Sequence, residues 1–401
     1  MKKIPALLLV LAIVLSLGAC AGPEEISSQA NKGGEVFSPV YPYAAVPIYN
    51  AQNEKIGELE QSGKIFPTEG GLVYTKRAGD REAMEYYQYT ASTGESVKIG
   101  SVQDWFIQSD QSVLLQNHLF FFVVTATDDG NVLRLMDLDL ENHTMSDVYA
   151  EEGGDYYNPM VAMGDRILIA KPMENGSCIQ EYDPSSKKMK TLKSFSFDSA
   201  KNVGEMVKYL YADGDTLSVL MLEAEEIKTE EDGAIIEPFA HLRVDVYDKD
   251  MRLLESKDIT DVSDEDDERL KTVTSFLYSD SLLYYQNNSS TQFFGKVGDR
   301  SLIMLMFPDN SLRMARETAS VPGTKLLYSL DEGNALYRMD MKTGDMREGS
   351  FSADDESYTI HGVYRDTGGN VWIRMGSRDP LTDEKRERLY YVSESDLKFS
   401  E

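Results

Sequence analysis

The sequence predicts an all-β fold, a β-propeller of four-stranded antiparallel sheets, on three observations. No long stretch after about residue 40 carries helical periodicity; short runs of Val, Ile, Leu, Tyr and Phe are broken instead by Gly, Asp and Asn. One phrase recurs along the chain, an alternating strand that runs into a polar turn and leaves it as a second strand. The turn centres fall near 93, 142, 186, 249, 309, 343 and 395, at intervals of 49, 44, 63, 60, 34 and 52. The mean, about 50, lies in the range of propeller blades. Seven blades fit this spacing best, with six and eight left open. The physical reason for such a fold is that a small sheet cannot cover both of its faces alone, and radial stacking covers them.

The elements follow in order. A hairpin of Val46-Pro47-Ile48-Tyr49 turning at Asn53-Glu54 stands at the start of the repeat region, predicted over 45–401. The recurring phrase then appears as Tyr86-Tyr87-Gln88-Tyr89 before Ser92-Thr93-Gly94-Glu95, and as Leu133–Asp139 before Glu141-Asn142-His143. It returns as Ile179–Asp183 before Ser185-Ser186-Lys187, as Val244–Asp248 before Lys249-Asp250, and as Leu336–Asp340 before Lys342-Thr343-Gly344. Leu389–Val392 before Glu394-Ser395-Asp396 is the last copy, and Ile303–Met306 with Asp309-Asn310 a degenerate one. A first hairpin precedes several of these, for example Met160–Met163 turning at Gly164-Asp165, Tyr209–Tyr211 turning at Asp213-Gly214, and Ser275–Tyr278 turning at Ser279-Asp280. Residues 223–238 form an acidic excursion between two hairpins and account for the 63-residue interval.

The last first hairpin, Asp366-Thr367-Gly368-Gly369-Asn370-Val371-Trp372-Ile373, resembles the Asp-x-x-Gly-Asn-x-Trp/Val-Ile phrase of bacterial propellers such as the streptogramin-lyase-like and two-component-sensor repeats. Gly and Asn supply the positive φ of a tight hairpin turn. The resemblance covers about a dozen residues and implies fold rather than activity. It also implies that Trp372 packs between blades.

The N-terminus carries a separate signal. Lys2 and Lys3 precede an apolar stretch from Ile4 to Leu17, and small residues follow. That is the pattern of an export signal, and it is short for a membrane span of roughly 20 residues. Leu17-Gly18-Ala19-Cys20 resembles the lipobox of bacterial lipoproteins. The resemblance implies cleavage before Cys20 and a diacylglyceryl group on its thiol, so that membrane lipid becomes a partner. On this reading residues 1–19 are signal peptide and residues 20–44 a lipidated, polar tether. The mature chain would sit at the cell membrane on its extracytoplasmic face. It would keep Cys178 as its one thiol, a strand cysteine with no nearby histidine to activate it.

Composition narrows the function. The 401 residues include 40 Lys+Arg against 68 Asp+Glu, a net charge of −28, or −30 once Lys2 and Lys3 are removed. This excludes nucleic acid as the main partner, because phosphate binding needs clustered positive charge. No HExxH, P-loop, GxSxG or dinucleotide-glycine motif is present, and no calcium-loop spacing accompanies the acidic runs at 128–131 and 261–268. No metal and no cofactor is therefore predicted. His118, His143, His241 and His361 are scattered.

Propellers present ligands on the face made by the links from one sheet to the next. Three aromatic–acidic segments map there and supply the ligand-binding candidates Trp105, Asp155, Tyr156, Tyr157, Asp355 and Tyr358. Aromatic faces beside carboxylates suit a glycan, a peptide or a cationic group. The predicted function is a non-catalytic scaffold or sensor lipoprotein that binds an envelope protein or a glycan. The alternative is a surface glycosidase or lyase acting on polysaccharide or cell wall.

Overall fold

The computed structural model describes residues 45–399 except 61–62, 79–82, 104–105, 128–129, 154–158, 199–202, 225–239, 263–272, 280–281, 288–291, 298–301, 305–314, 321–325, 332–335, 341–342, 344, 352–357, 367 and 379–384. Residues 43–401 make up one compact unit.

The described strands fall into sheets whose consecutive strands pair antiparallel, with strands from the chain ends added to the last two. Sheet A is Ile65–Thr68, Gly71–Arg77, Ala83–Thr90 and Glu95–Gln103. Sheet B is Phe106–Leu115, His118–Thr127, Gly130–Asp139 and Thr144–Glu152. Sheet C comprises Met160–Met163, Arg166–Met173, Gly176–Asp183 and Lys188–Asp198. Sheet D comprises Val203–Asp213, Thr216–Ala224, Ala240–Asp248 and Leu253–Val262. Two residue pairs, Phe197 with Gly204 and Asp198 with Val203, join C to D. Sheet E is Val273–Ser279, Leu282–Asn287, Gln292–Val297 and Leu302–Met304. Sheet F is Ala315–Ser320, Leu326–Asp331, Leu336–Asp340 and Met346–Ser350, extended by Lys398–Phe399. Sheet G is Thr359–Arg365, Asn370–Arg378 and Lys385–Ser393, followed by Val46–Tyr49 and Lys55–Leu59. The N-terminal strand thus joins the C-terminal sheet, running parallel to it through Ile48 opposite Leu389 and Tyr49 opposite Tyr390.

The second strand of a sheet explains how the sheets stack. Leu119–Val124, Ile167–Ala170 and Leu217–Met221 are buried at every position, as expected of strands covered on both faces. Successive residues go to different layers. Leu119, Phe121 and Val123 pack into the cluster between sheets A and B; Phe120, Phe122 and Val124 pack into the one between B and C. Leu168 and Leu217 meet between C and D, and Leu220 and Phe276 between D and E. Leu336 and Ile360 meet between F and G, and Leu72 and Trp372 between G and A. Each fully buried Leu, Phe or Ile adds roughly 1.5–3 kcal/mol. Sheets of one plan, stacked in chain order from A to E, with F packed on G and G on A, make this an all-β, propeller-type fold.

The turns between third and fourth strands show why the recurring phrase exists. Its aromatic or leucine is core: Tyr89, Tyr182, Tyr247 and Leu138 are all buried. The aspartate after it caps the turn. Asp139 Oδ1 accepts from the Asn142 backbone N–H at 2.9 Å, and Asp183 and Asp248 accept in the same way from Ser185 and Asp250. The hydrogen bond from the Asn142 side chain holds Asp139 below its ordinary carboxylate value, and that from Ser186 does the same for Asp183. The fourth turn position is left-handed, at φ 71 for Gly94, 51 for His143 and 53 for Lys187.

Bulges recur at fixed places too. On four fourth strands the ladder skips one residue on the side of the core. The skipped residues are Ile99, Val148, Leu192 and Ile259, all apolar and all packed into the inter-sheet clusters.

Candidate functional site

Four antiparallel strands return the chain to the end of the sheet where it entered, so the links to the next sheet leave from the entry end. The ligand-binding candidates Trp105, Asp155, Tyr156, Tyr157 and Asp355 belong to such links and lie outside the described residues, as does Cys20. The acidic runs at 225–238 and 263–268 lie outside them as well.

Tyr358 is described. It is half-buried, and its ring lies 4.1 Å below the Arg388 guanidinium. The same guanidinium sits 5.3 Å from the Tyr49 ring, which stacks on Tyr390 at 5.5 Å. Phe351 meets Tyr390 edge-on at 4.9 Å. Tyr358 is therefore part of a cation–aromatic stack along the seam between Val46–Tyr49 and Lys385–Ser393. The stack fixes that ring where the seam meets the link end.

Two buried carboxylates are held by internal partners. Asp366, from the Asp-x-x-Gly-Asn phrase, is 2% exposed and accepts from the Asn370 backbone N–H at 2.8 Å and from the Tyr391 hydroxyl at 3.1 Å. Burial, and then the nearby Asp366 charge, push the Tyr391 hydroxyl pKa up. Asp245 is equally buried on the third strand of sheet D. It accepts from Arg243 Nε at 3.0 Å, Tyr247 Oη at 3.0 Å and Ser256 Oγ at 2.7 Å. Arg243 also reaches Glu205 at 2.7 Å and pairs with Glu223. Burial opposes its charge, but the hydrogen bonds to Asp245 and Glu205 prevail and keep its pKa above the ordinary value. His241 Nε2 flanks this network, 3.4 Å from Glu223 and 3.5 Å from Asp258. Among the described residues no group of three or more His, Cys, Asp and Glu is arranged to hold a metal ion.

Two further residues weighed from the sequence, His118 and Cys178, sit in ordinary structural surroundings. His118 pairs with Asp137 at 2.8 Å across neighbouring strands. Cys178 is buried, and burial pushes its thiol pKa up, the reverse of what activates a nucleophile.

Sequence reasoning missed two features. One is a groove of about 560 Å³ at the opposite end of sheets A and B, between the turns that carry Thr68, Glu69, Gln116, Asn117 and Glu141. The other is a set of bulges on first strands, where the ladder skips between Gln108 and Ser112, Val207 and Tyr209, Val273 and Ser275, Ala315 and Glu317, and Ile360 and Gly362. The available signal was a break in strict alternation, such as Val207-Lys208-Tyr209.

No protein-family model and no curated protein matches the chain. Solved structures align with most of the chain at low identity. The β-propeller domain of the Trilobed protease from Pyrococcus furiosus aligns with 84% of this chain and 94% of its own, at 12% identity and a TM-score of 0.49. The computationally designed Ika8 protein aligns with 80% of this chain and 84% of its own, at 10% identity and a TM-score of 0.45. The RRP9 WD40 repeats align with 77% of this chain and 92% of their own, at 8% identity and a TM-score of 0.41. The class of fold rests on the sheet topology itself, which is that of a propeller.

Proposed function

We propose that this chain is a lipid-anchored binding platform on the outer face of a bacterial cytoplasmic membrane, held through Cys20 and offering its sheets to an envelope protein or a glycan. The observation that carries the reading is the order of parts. A charged and then apolar leader ends in Leu17-Gly18-Ala19-Cys20, a polar stretch follows, and then a series of stacked sheets. Such a series builds one broad surface from many short links. Asp245 and Asp366 support binding over acid–base chemistry, because their oxygens are committed to internal donors. The strong negative charge favours a neutral or cationic partner surface.

In-cell crosslinking of the tagged full-length chain, followed by mass spectrometry, tests this. The expected result is one membrane or envelope protein, or a labelled envelope glycan, recovered in every replicate. Recovery of neither overturns the reading. Cleavage of a glycan by the purified chain replaces it with the surface-enzyme one.

A further inference from the structure

The layer between sheets A and B is apolar along its length and turns polar at its hairpin end. Phe66 and Tyr86 pack into that layer. Two residues further along the same strands, and so on the same faces, come Thr68 and Gln88. Both line the groove of about 560 Å³ between the turns of the two sheets.

Sheet A lacks the side chain that closes this position in the next two sheets. On the third strands of sheets A, B and C, the residue before the buried Tyr89, Leu138 or Tyr182 is polar, namely Gln88, Asp137 or Glu181. Asp137 pairs with His118 at 2.8 Å and Glu181 with Arg166 at 2.9 Å. His118 and Arg166 are the first residues of their second strands, and the residue at that place in sheet A is Gly71. A Cβ on Gly71 would lie 2.1 Å from the Tyr89 carbonyl oxygen, so no side chain fits there without moving the backbone. Gln88 is left without the cross-strand partner that its counterparts have.

Two buried side-chain atoms on residues of this groove have no hydrogen-bond partner. They are Thr68 Oγ1, on a residue 3% exposed, and Gln88 Oε1. Buried polar atoms are nearly always paired, so two orphans at one groove mark a place for the donors of a ligand. The groove also carries the carboxylates of Glu69 and Glu141, and none of the described residues that line it is Lys, Arg or His. The unmet demand is for donors and for positive charge. A primary ammonium supplies three donors and no acceptor. Leu114 and Leu140 offer its methylene stem an apolar wall. None of the described lining residues is aromatic, so a sugar ring finds no flat face to pack on.

We infer that the groove between the hairpin ends of sheets A and B binds a primary alkylammonium group, received by Thr68, Gln88, Glu69 and Glu141. The inference rests on the binding-platform reading and names a ligand chemistry for one part of it. Calorimetric titration of the purified full-length chain in detergent tests it. Diaminopentane serves as the free-amine probe, and acetyl-lysine amide stands for a lysine side chain on a protein partner. At least one is expected to bind with one-to-one stoichiometry, and the tighter of the two identifies the source. Gln88→Leu and Glu141→Gln should each weaken that binding by about tenfold or more, the worth of one charge-assisted hydrogen bond. Asp250→Asn, at an exposed acid in a turn of sheet D, should leave it unchanged, which separates the groove from general attraction to an acidic chain. Both groove variants should melt no lower than the native chain, so that a weaker titration reports the groove and not the fold. Binding of neither amine, equal binding by the native chain and Gln88→Leu, equal weakening by Asp250→Asn and Glu141→Gln, or tighter binding of N-acetylglucosamine than of either amine overturns the inference. Crosslinked partners are recovered without reference to this groove, so a groove that fails alone leaves the platform reading standing.

Discussion

Trp372→Ala should lower the unfolding free energy by about 3–5 kcal/mol, among the largest effects of any single truncation in this chain. The indole is fully buried and sits in the cluster that joins sheet G to sheet A. It meets the Tyr89 ring edge-on at 6.1 Å and the Tyr391 ring at 4.5 Å, beside Leu72, Leu389 and Ile48. Neighbours drawn from three strands in sheet A, two in sheet G and the N-terminal strand cannot all move into the space left. Urea unfolding followed by far-ultraviolet circular dichroism measures the loss. A change below about 1 kcal/mol, the scale of a surface substitution, would contradict the packing of the last sheet on the first.

Arg243→Met should cost a similar amount, about 3–5 kcal/mol, for an electrostatic reason. The substitution keeps most of the side-chain volume but leaves Glu205, Glu223 and the buried Asp245 without their shared cation. The pH dependence separates this from lost packing. Without the guanidinium the three carboxylates repel one another in the native state, and protons relieve that repulsion. The variant's deficit should then shrink as pH falls through the carboxylate range. A deficit that is flat with pH would assign the effect to packing instead.

The parts of the fold legible in the sequence were those written in local chemistry. Tyr182-Asp183 and Tyr247-Asp248 announce a buried ring followed by a capped turn, and each turn lies where the phrase puts it. Asp366 to Ile373 announces a tight hairpin and delivers one, with Asp366 closing the turn on Asn370. The parallel pairing of Val46–Tyr49 with Lys385–Ser393 was not legible, because it joins positions more than 300 residues apart and needs no special residue at either. The Arg243 network was equally hidden. Its acids come from three other positions spread over sheet D, and abundant carboxylates mask any one pattern. The bulged first strands could have been suspected from Lys208 between Val207 and Tyr209, yet one polar residue inside an apolar strand has many ordinary explanations. Of the candidate site, Tyr358 is the one residue that lies among those described, next to the start of Thr359–Arg365. Its partner Arg388 lies thirty residues away on another strand, and strand register alone brings the two together.

The proposed anchorage depends on Cys20, and lipid labelling of that residue puts it to the test. Cells expressing the full-length chain would be fed an alkyne-bearing palmitate analogue. An acyl-labelled mature chain of residues 20–401 is expected in the membrane fraction. Cys20→Ala should abolish the label and leave an uncleaved, slower-migrating precursor. An unlabelled chain recovered in the soluble fraction, or labelling and processing unchanged in Cys20→Ala, would contradict it.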